Sequence, residues 1–184
     1  LGAVKQLLKT QPETASVQLE NASQLAAQTL GEMDTIIKQL RPVSLERKNL
    51  SEALQELLVQ WSAQAGIKTE VDVRGKGTLP LNYEECLYRI AQEGLQNVAK
   101  HAGAKTVRLE LVYNANNITL RLHDDGKGFD TSQQSQHTLG LRSMKERAEA
   151  LGGVLIMQSD KSGTHHTVTL PLESLTLSER SSRV

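Results

Sequence analysis

From Ile118 to His123 the chain places an apolar side chain at every second position, the period of a strand buried on one face. Thr106 to Val112 alternates in the same way, and Tyr113 to Asn116 between them reads as a hairpin loop. From Tyr83 to His101 the period changes: Leu87, Ile90, Ala91, Leu95, Val98 and then Ala102 recur three or four residues apart, which predicts a helix with one core face. Asn82 stands where a helix N-cap is expected and Gly103 where the helix should end. The same spacing, in Leu50, Ala53, Leu54, Leu57, Leu58 and Trp61, predicts a helix over 50–65 closed by Gly66. Lys68 to Arg74 alternates and predicts a strand, followed by a turn at Gly75 to Gly77. A helix is expected from Leu139 to Leu151, closed by Gly152 and Gly153. Strands at Val154 to Gln158 and His165 to Leu172 follow, separated by a loop over 160–164.

The first forty residues differ from the rest. Leu1, Val4, Leu7 and Leu8 mark the end of an amphipathic helix, which Pro12 interrupts. A second helix from Glu13 to Leu40 carries Leu19, Ala22, Ala26, Leu30, Met33, Ile37 and Leu40 in a near-heptad seam. Such a hairpin cannot hide its seam alone, and pairing with a second copy gives a four-helix bundle. Packing on its own domain is the alternative. Residues 42–49 read as a polar hinge opened by Pro42. Thr131 to Thr138 lacks apolar anchors and reads as a mobile lid. Residues 175–184 read as a disordered tail.

Composition narrows the classes. The chain of 184 residues carries 21 basic and 21 acidic side chains, and this neutrality argues against direct nucleic-acid binding. Cys86 has no second cysteine to pair with, which points to a reducing, cytoplasmic compartment. No apolar run approaches the roughly 20 residues of a membrane span. Leu1 is not a natural start, so a longer parent is expected, with membrane attachment through its upstream part left open.

Two stretches carry chemistry. The strand ending at His123 runs into Asp124, Asp125, Gly126, Lys127 and Gly128. A carboxylate at the end of a buried strand is placed to accept a ligand's hydrogen bonds, and glycines one residue apart let backbone pass close to a ligand. Asp-Gly is also a common turn pair, so this stretch alone leaves a plain hairpin turn open. On the 83–101 helix, Arg89, Glu93, Asn97, Lys100 and His101 fall on or near one polar stripe. A solvated face explains the charges but explains Asn97 less well, since asparagine is a poor helix former.

The order of these features resembles the ATP-binding domain of sensor histidine kinases, in the family that includes gyrase, Hsp90 and MutL. It runs from a helix with Glu93 and Asn97 through two strands to Asp124-x-Gly126-x-Gly128. A lid, a Gly140-Leu141-x-x-Met144 helix and a Gly163-Thr164 pair before the last strand complete it. Leu40-Arg41-Pro42, the run Tyr88 to Ala102 and the run Gly140 to Arg147 are similar to the nitrate-sensor-like subclass. Four ordered motifs are more specific than any one, and the turn-only reading recedes. The resemblance implies an α/β (α+β) two-layer sandwich over 50–174, a mixed sheet with helices on one face, the Bergerat-type ATP-binding fold. A truncated dimerisation hairpin over 1–41 would precede it.

The resemblance also implies roles. Asp124 accepts a hydrogen bond from the adenine 6-amino group, and Gly126 and Gly128 let the backbone approach the nucleotide. Asn97 offers an oxygen to Mg²⁺, while Glu93, the catalytic candidate, orders a metal-bound water. Lys100 reaches phosphate oxygens; His101 either packs or touches phosphate. Gly140 and Leu141 present helix N-terminal amides to the phosphates. Gly163 and Thr164 border the adenine, and Met144 is core. ATP and Mg²⁺ are the implied cofactors, with a second copy of the chain and a response-regulator receiver domain as partners.

One departure concerns the phosphoacceptor histidine of these kinases, which lies in a His-Asp pair on the first dimerisation helix. No histidine precedes His101, and His123, the one followed by aspartate, lies in the nucleotide-binding strand. The acceptor is therefore expected upstream, and this chain is not expected to phosphorylate itself. Two rivals stay open. One is an ATPase clamp, weakened because little chain follows Leu172. The other is a degenerate, non-catalytic nucleotide-binding or regulatory module.

Overall fold

The computed structural model describes residues 22–23, 42–45, 48–129 and 139–172. The chain divides into two units, Leu1–Pro42 and Val43–Val184. Of the expected hairpin only Ala22 and Ser23 are described, both helical. The rest of that hairpin, the lid at Thr131 to Thr138 and the tail lie outside the described residues.

The second unit opens with one 3-10 turn, Val43–Leu45. Leu45 is fully buried and the Tyr88 hydroxyl donates to Ser44 Oγ at 3.0 Å, so the expected polar hinge supplies part of the core. Helix α1 (Leu50–Ala65) starts at a capping box: Asn49 Oδ1 accepts from the Glu52 amide at 3.0 Å, and Glu52 Oε2 accepts from the Asn49 amide at 3.2 Å. A cap of this kind is worth about 1 kcal/mol. Its apolar stripe is the expected one, with Leu50, Ala53, Leu54 and Leu58 buried and Leu57 and Trp61 packed at its margin.

Strand β1 (Lys68–Arg74), helix α2 (Leu81–Asn97), strands β2 (Thr106–Tyr113) and β3 (Asn117–Asp124), helix α3 (Leu139–Glu149) and strands β4 (Val154–Asp160) and β5 (Gly163–Pro171) follow. The sheet order is β1-β2-β3-β5-β4. β1 and β2 are parallel, which requires a crossover, and α2 supplies it. The other neighbours are antiparallel. Alternation sends Leu109, Leu111, Leu120, Leu122, Val168 and Leu170 beneath the helices. The opposite face carries Arg108, Glu110 and Arg121, with Glu110 bridging both arginines at 3.2 and 3.4 Å. This is the expected two-layer sandwich, a mixed sheet with helices on one face. Cys86 packs against α3, its Sγ–H directed to the Arg147 carbonyl at 3.5 Å, and burial pushes the thiol up to about 11.

Local expectations shift at two places. Helix α2 begins at Leu81, so Asn82 is inside it and does not cap it. The Pro80 carbonyl accepts from the Tyr83 and Glu84 amides at 3.0 and 3.2 Å, so the backbone starts the helix without a side-chain cap. The expected 160–164 loop is a tight hairpin in which Gly163 and Thr164 belong to β5, paired with Asp160 and Asp124. Asp160 Oδ1 accepts from the Ser162 amide at 2.7 Å and closes the turn.

Three polar side chains share the helix-covered face of β3 and β5: Asp124, Thr164 and His166, each at least nine-tenths buried. His123 and His165 lie one residue along, on the open face, their rings stacked at 3.8 Å with planes 12° apart. Burial, with the charge of His165 adding to it, pushes His166 from 6.5 down to about 4. The fold therefore takes His166 neutral. Above about pH 6.5 both folded and unfolded chains hold it neutral and stability is unaffected. As pH falls from 6.5 toward 4 only the unfolded chain gains the proton, and stability is lost. Urea unfolding at pH 7 and pH 4.5 should show His166→Leu losing about 2 kcal/mol less than the parent over this interval. Equal losses would refute the neutral burial of His166.

Candidate functional site: a cavity beneath the end of the second helix

The last turn of α2 is π-helical, Val98–Ala102, closed by Gly103. A π turn widens the backbone where the helix carbonyls run out of partners. The Ala102 carbonyl here accepts the Lys127 amide at 3.0 Å, tying the glycine loop after β3 to the helix. The other side of the loop rests on the β4–β5 hairpin. The Phe129 amide donates to Ser159 Oγ at 2.9 Å, and Ser159 Oγ lies 3.1 Å from Thr164 Oγ1. Gly128 has φ +60°, and a Cβ there would collide with the Asp160 carbonyl oxygen. Gly163, at φ +132°, would drive a Cβ into the Asp124 carbonyl oxygen.

The adjacent aspartates do different work. Asp125 turns to the loop before β2, where its Oδ1 accepts from the Lys105 and Thr106 amides at 2.7 and 2.9 Å and its Oδ2 from Thr106 Oγ1 at 2.8 Å. These hydrogen bonds, Thr106's foremost, hold its carboxyl below the usual range. Asp124 is 4% exposed, and Oδ1 accepts from the Gly126 amide at 2.9 Å. Its carboxylate faces a cavity of about 390 Å³, within the range of small-molecule sites.

Thr164 and His166 line this cavity from β5, with Gly128 and Phe129 from the loop. Gly140 and Leu141 line it from the first turn of α3, and Glu93 and Asn97 from α2. Glu93 and Asn97 stand one turn apart on one side of α2, so two hard oxygen donors point the same way. Gly140 lies against the Glu93 carboxylate so closely that a Cβ would overlap it. Lys100, His101 and Lys127 also line it and are exposed, and the two lysines bring positive charge to the cavity that holds the buried acid. Among the described residues no group of three or more His, Cys, Asp or Glu side chains could hold a metal. Glu93 and Asn97 suit an ion that takes its remaining ligands from phosphate and water, as Mg²⁺ does.

All the expected site residues line the cavity except Gly126 and Gly163, which stand behind its wall and shape it from there. Met144 is core, as expected. Sequence reasoning missed Lys127, Phe129 and His166. The signal for His166 was present: it alternates in phase with Val168 and Leu170, whose side chains are buried.

Residues 82–174 match the family model described as histidine kinase-, DNA gyrase B-, and HSP90-like ATPase. The chain is 33% identical over 171 residues to the sensor histidine kinase LiaS of Bacillus subtilis (strain 168), covering 92% of this chain and 47% of that protein. It is 32% identical over 142 residues to the sensor protein VraS of Staphylococcus haemolyticus (strain JCSC1435), covering 77% and 40%. The chain thus spans less than half the length of these relatives. In fold it is similar to the histidine kinase domain of the blue-light activated kinase of Erythrobacter litoralis EL346, with TM-score 0.59 and 20% identity over 68% of this chain and 62% of that one. It is also similar to the histidine kinase AdeS of Acinetobacter baumannii, with TM-score 0.58 and 16% identity over 92% of both chains. The match over residues 82–174, on a sheet of this topology and a cavity built by these motifs, shows that the chain belongs to the histidine kinase-, DNA gyrase B- and HSP90-like ATPase family and carries the ATP-binding catalytic core of a sensor histidine kinase.

Proposed function

We propose that this core binds Mg-ATP in the cavity below α2 and passes its γ-phosphoryl to a histidine on a dimerisation helix. From there it goes to an aspartate of a response-regulator receiver domain. The observation that carries the reading is the Asp124 carboxylate, buried in the cavity wall and held by the Gly126 amide. Its free edge suits the adenine 6-amino group, whereas guanine presents an oxygen there that a carboxylate repels. Thr164, the register partner of Asp124, borders the base from β5. The phosphates extend toward Lys100, His101 and the first turn of α3, where Gly140 and Leu141 offer backbone amides. Asn97 gives an oxygen to Mg²⁺ and Glu93 orders a metal-bound water; the ion neutralises charge on the phosphates. The domain works in the cytoplasm as a homodimer through the hairpin over 1–41, with any membrane attachment made by chain outside this sequence.

Calorimetry tests the base assignment. Asp124→Ala should lose about 1.5–3 kcal/mol of ATP binding, the worth of a hydrogen bond to a charged group. GTP should bind the parent far more weakly than ATP. Unchanged ATP affinity in the variant, or equal affinity for GTP, would remove Asp124 from the base.

The metal assignment has its own measurement. Asn97→Ala should erase most of the magnesium dependence of ATP binding while circular dichroism shows the fold intact. Normal magnesium dependence would return Asn97 to the surface.

Positioning supplies most of the catalysis in phosphoryl transfer, and the nucleophile must stand in line with the γ-phosphate. His101, His123, His165 and His166 lie on the elements that build the nucleotide cavity, and His137 lies in the expected lid. Incubation of this chain with γ-labelled ATP should therefore leave it unlabelled. Acid-labile label on any of its histidines would overturn an acceptor outside this sequence.

A further inference from the structure

His166 has no part in the chemistry proposed above, yet it is built into the cavity. It is 6% exposed, and its ring makes no hydrogen bond among the described residues. Its ring nitrogens are not sealed in protein either, because among the described residues no fully buried side-chain nitrogen or oxygen lacks a partner. His166 lines the cavity together with Asp124 and Thr164. A ligand in the cavity can therefore reach these nitrogens and supply the hydrogen bond that the protein does not. Helix α2 makes room for the ring at Gly94, where a Cβ would lie 3.3 Å from His166 Nδ1 and 2.5 Å from Leu122 Cδ2. A glycine inside a helix is unfavourable unless something needs the space.

The register says what the ring faces. Asp124 pairs with Thr164 and Leu122 with His166, so His166 is the diagonal neighbour of Asp124 on the covered face. Burial keeps the imidazole neutral at pH 7, with one N–H donor and one acceptor nitrogen. In adenine the 6-amino group is flanked by N1 and N7, both acceptors. With the amino group on Asp124, one of these ring nitrogens turns toward β5. We propose that His166 is a second base-reading residue, donating a hydrogen bond from its neutral imidazole to the adenine ring nitrogen beside the amino group that Asp124 holds. The proposal rests on the assignment of Asp124 to the base. It deepens that reading, since selectivity for adenine then comes from two residues that read neighbouring atoms.

The test compares ATP with 1-deaza-ATP and 7-deaza-ATP, each replacing one ring nitrogen by C–H, on the parent, His166→Val and Asp124→Ala. In the parent, one of the two analogues should bind about fivefold more weakly than ATP, the worth of one neutral hydrogen bond. His166→Val should weaken ATP by the same factor and lose nothing further with that analogue. A parent that binds both analogues as tightly as ATP, or a His166→Val deficit of equal size with all three nucleotides, would overturn the inference. Asp124→Ala separates the two readings: if it weakens ATP while His166→Val does not, this inference alone fails. A parent that binds no ATP ends both. Should His166→Val not fold, ¹⁵N resonances of the histidine rings in the parent decide. One nitrogen of His166 should shift on adding ATP and stay in place with the sensitive analogue, and an unmoved ring would refute the contact.

Discussion

The start of β5 lies so close to the end of β3 that no side chain fits between them. At Gly163 a Cβ would strike the Asp124 carbonyl oxygen, and at Gly128 one would strike the Asp160 carbonyl oxygen. Backbone meets backbone at both points, and only glycine permits it at these positive φ values. The glycine loop is thereby wedged between the β4–β5 hairpin and the Ala102 carbonyl. Its Gly126 amide holds the Asp124 carboxylate in place before any ligand arrives. A ligand then meets a site whose ordering cost has already been met in folding.

The same constraint separates two neighbouring acids. Alternation along β3 carries Asp124 to the covered face, while Asp125 steps out of the strand and accepts three hydrogen bonds that fasten β3 to the start of β2. One carboxylate is consumed by structure and the other is left with an edge for chemistry. Alternation does the same for the tandem histidines of β5. His165 stacks on His123 on the open face, and His166 is driven under the helices and kept neutral.

Helix α2, with the π turn that follows it, lines one side of the cavity. Its middle supplies Glu93 and Asn97 one turn apart, and its π turn supplies Lys100, His101 and the carbonyl that anchors the loop. Because Gly140 abuts the Glu93 carboxylate, the first turn of α3 is placed against an acidic residue that lines the cavity. The opposite face of the sheet, with its Arg108, Glu110 and Arg121 ion pairs, meets solvent and takes no part.

Period and punctuation in the sequence were enough to place α1, β1 and the β2–β3 hairpin, because a strand or an amphipathic helix with one buried face writes its period into the chain. Asp124 and Asn97 were legible because a carboxylate at a buried strand end and an asparagine inside a helix break the local pattern, and Gly140 and Gly163 because a Cβ there would meet the Glu93 carboxylate and the Asp124 carbonyl oxygen. The tertiary structure decided what depends on neighbours distant in sequence. Pro80 replaced Asn82 at the start of α2 because a free backbone carbonyl was already positioned there. The polar stretch after Pro42 gave up Leu45 to a core that its own composition does not announce. Asp125 became a clamp only because Lys105 and Thr106 come alongside it. His166 entered the cavity because pairing with β3 fixed which face of β5 is covered, and because Gly94, far away in the chain, leaves the space for its ring. Such outcomes are pairwise contacts between separate segments, and a single segment carries no record of its partner until the sheet has set the register.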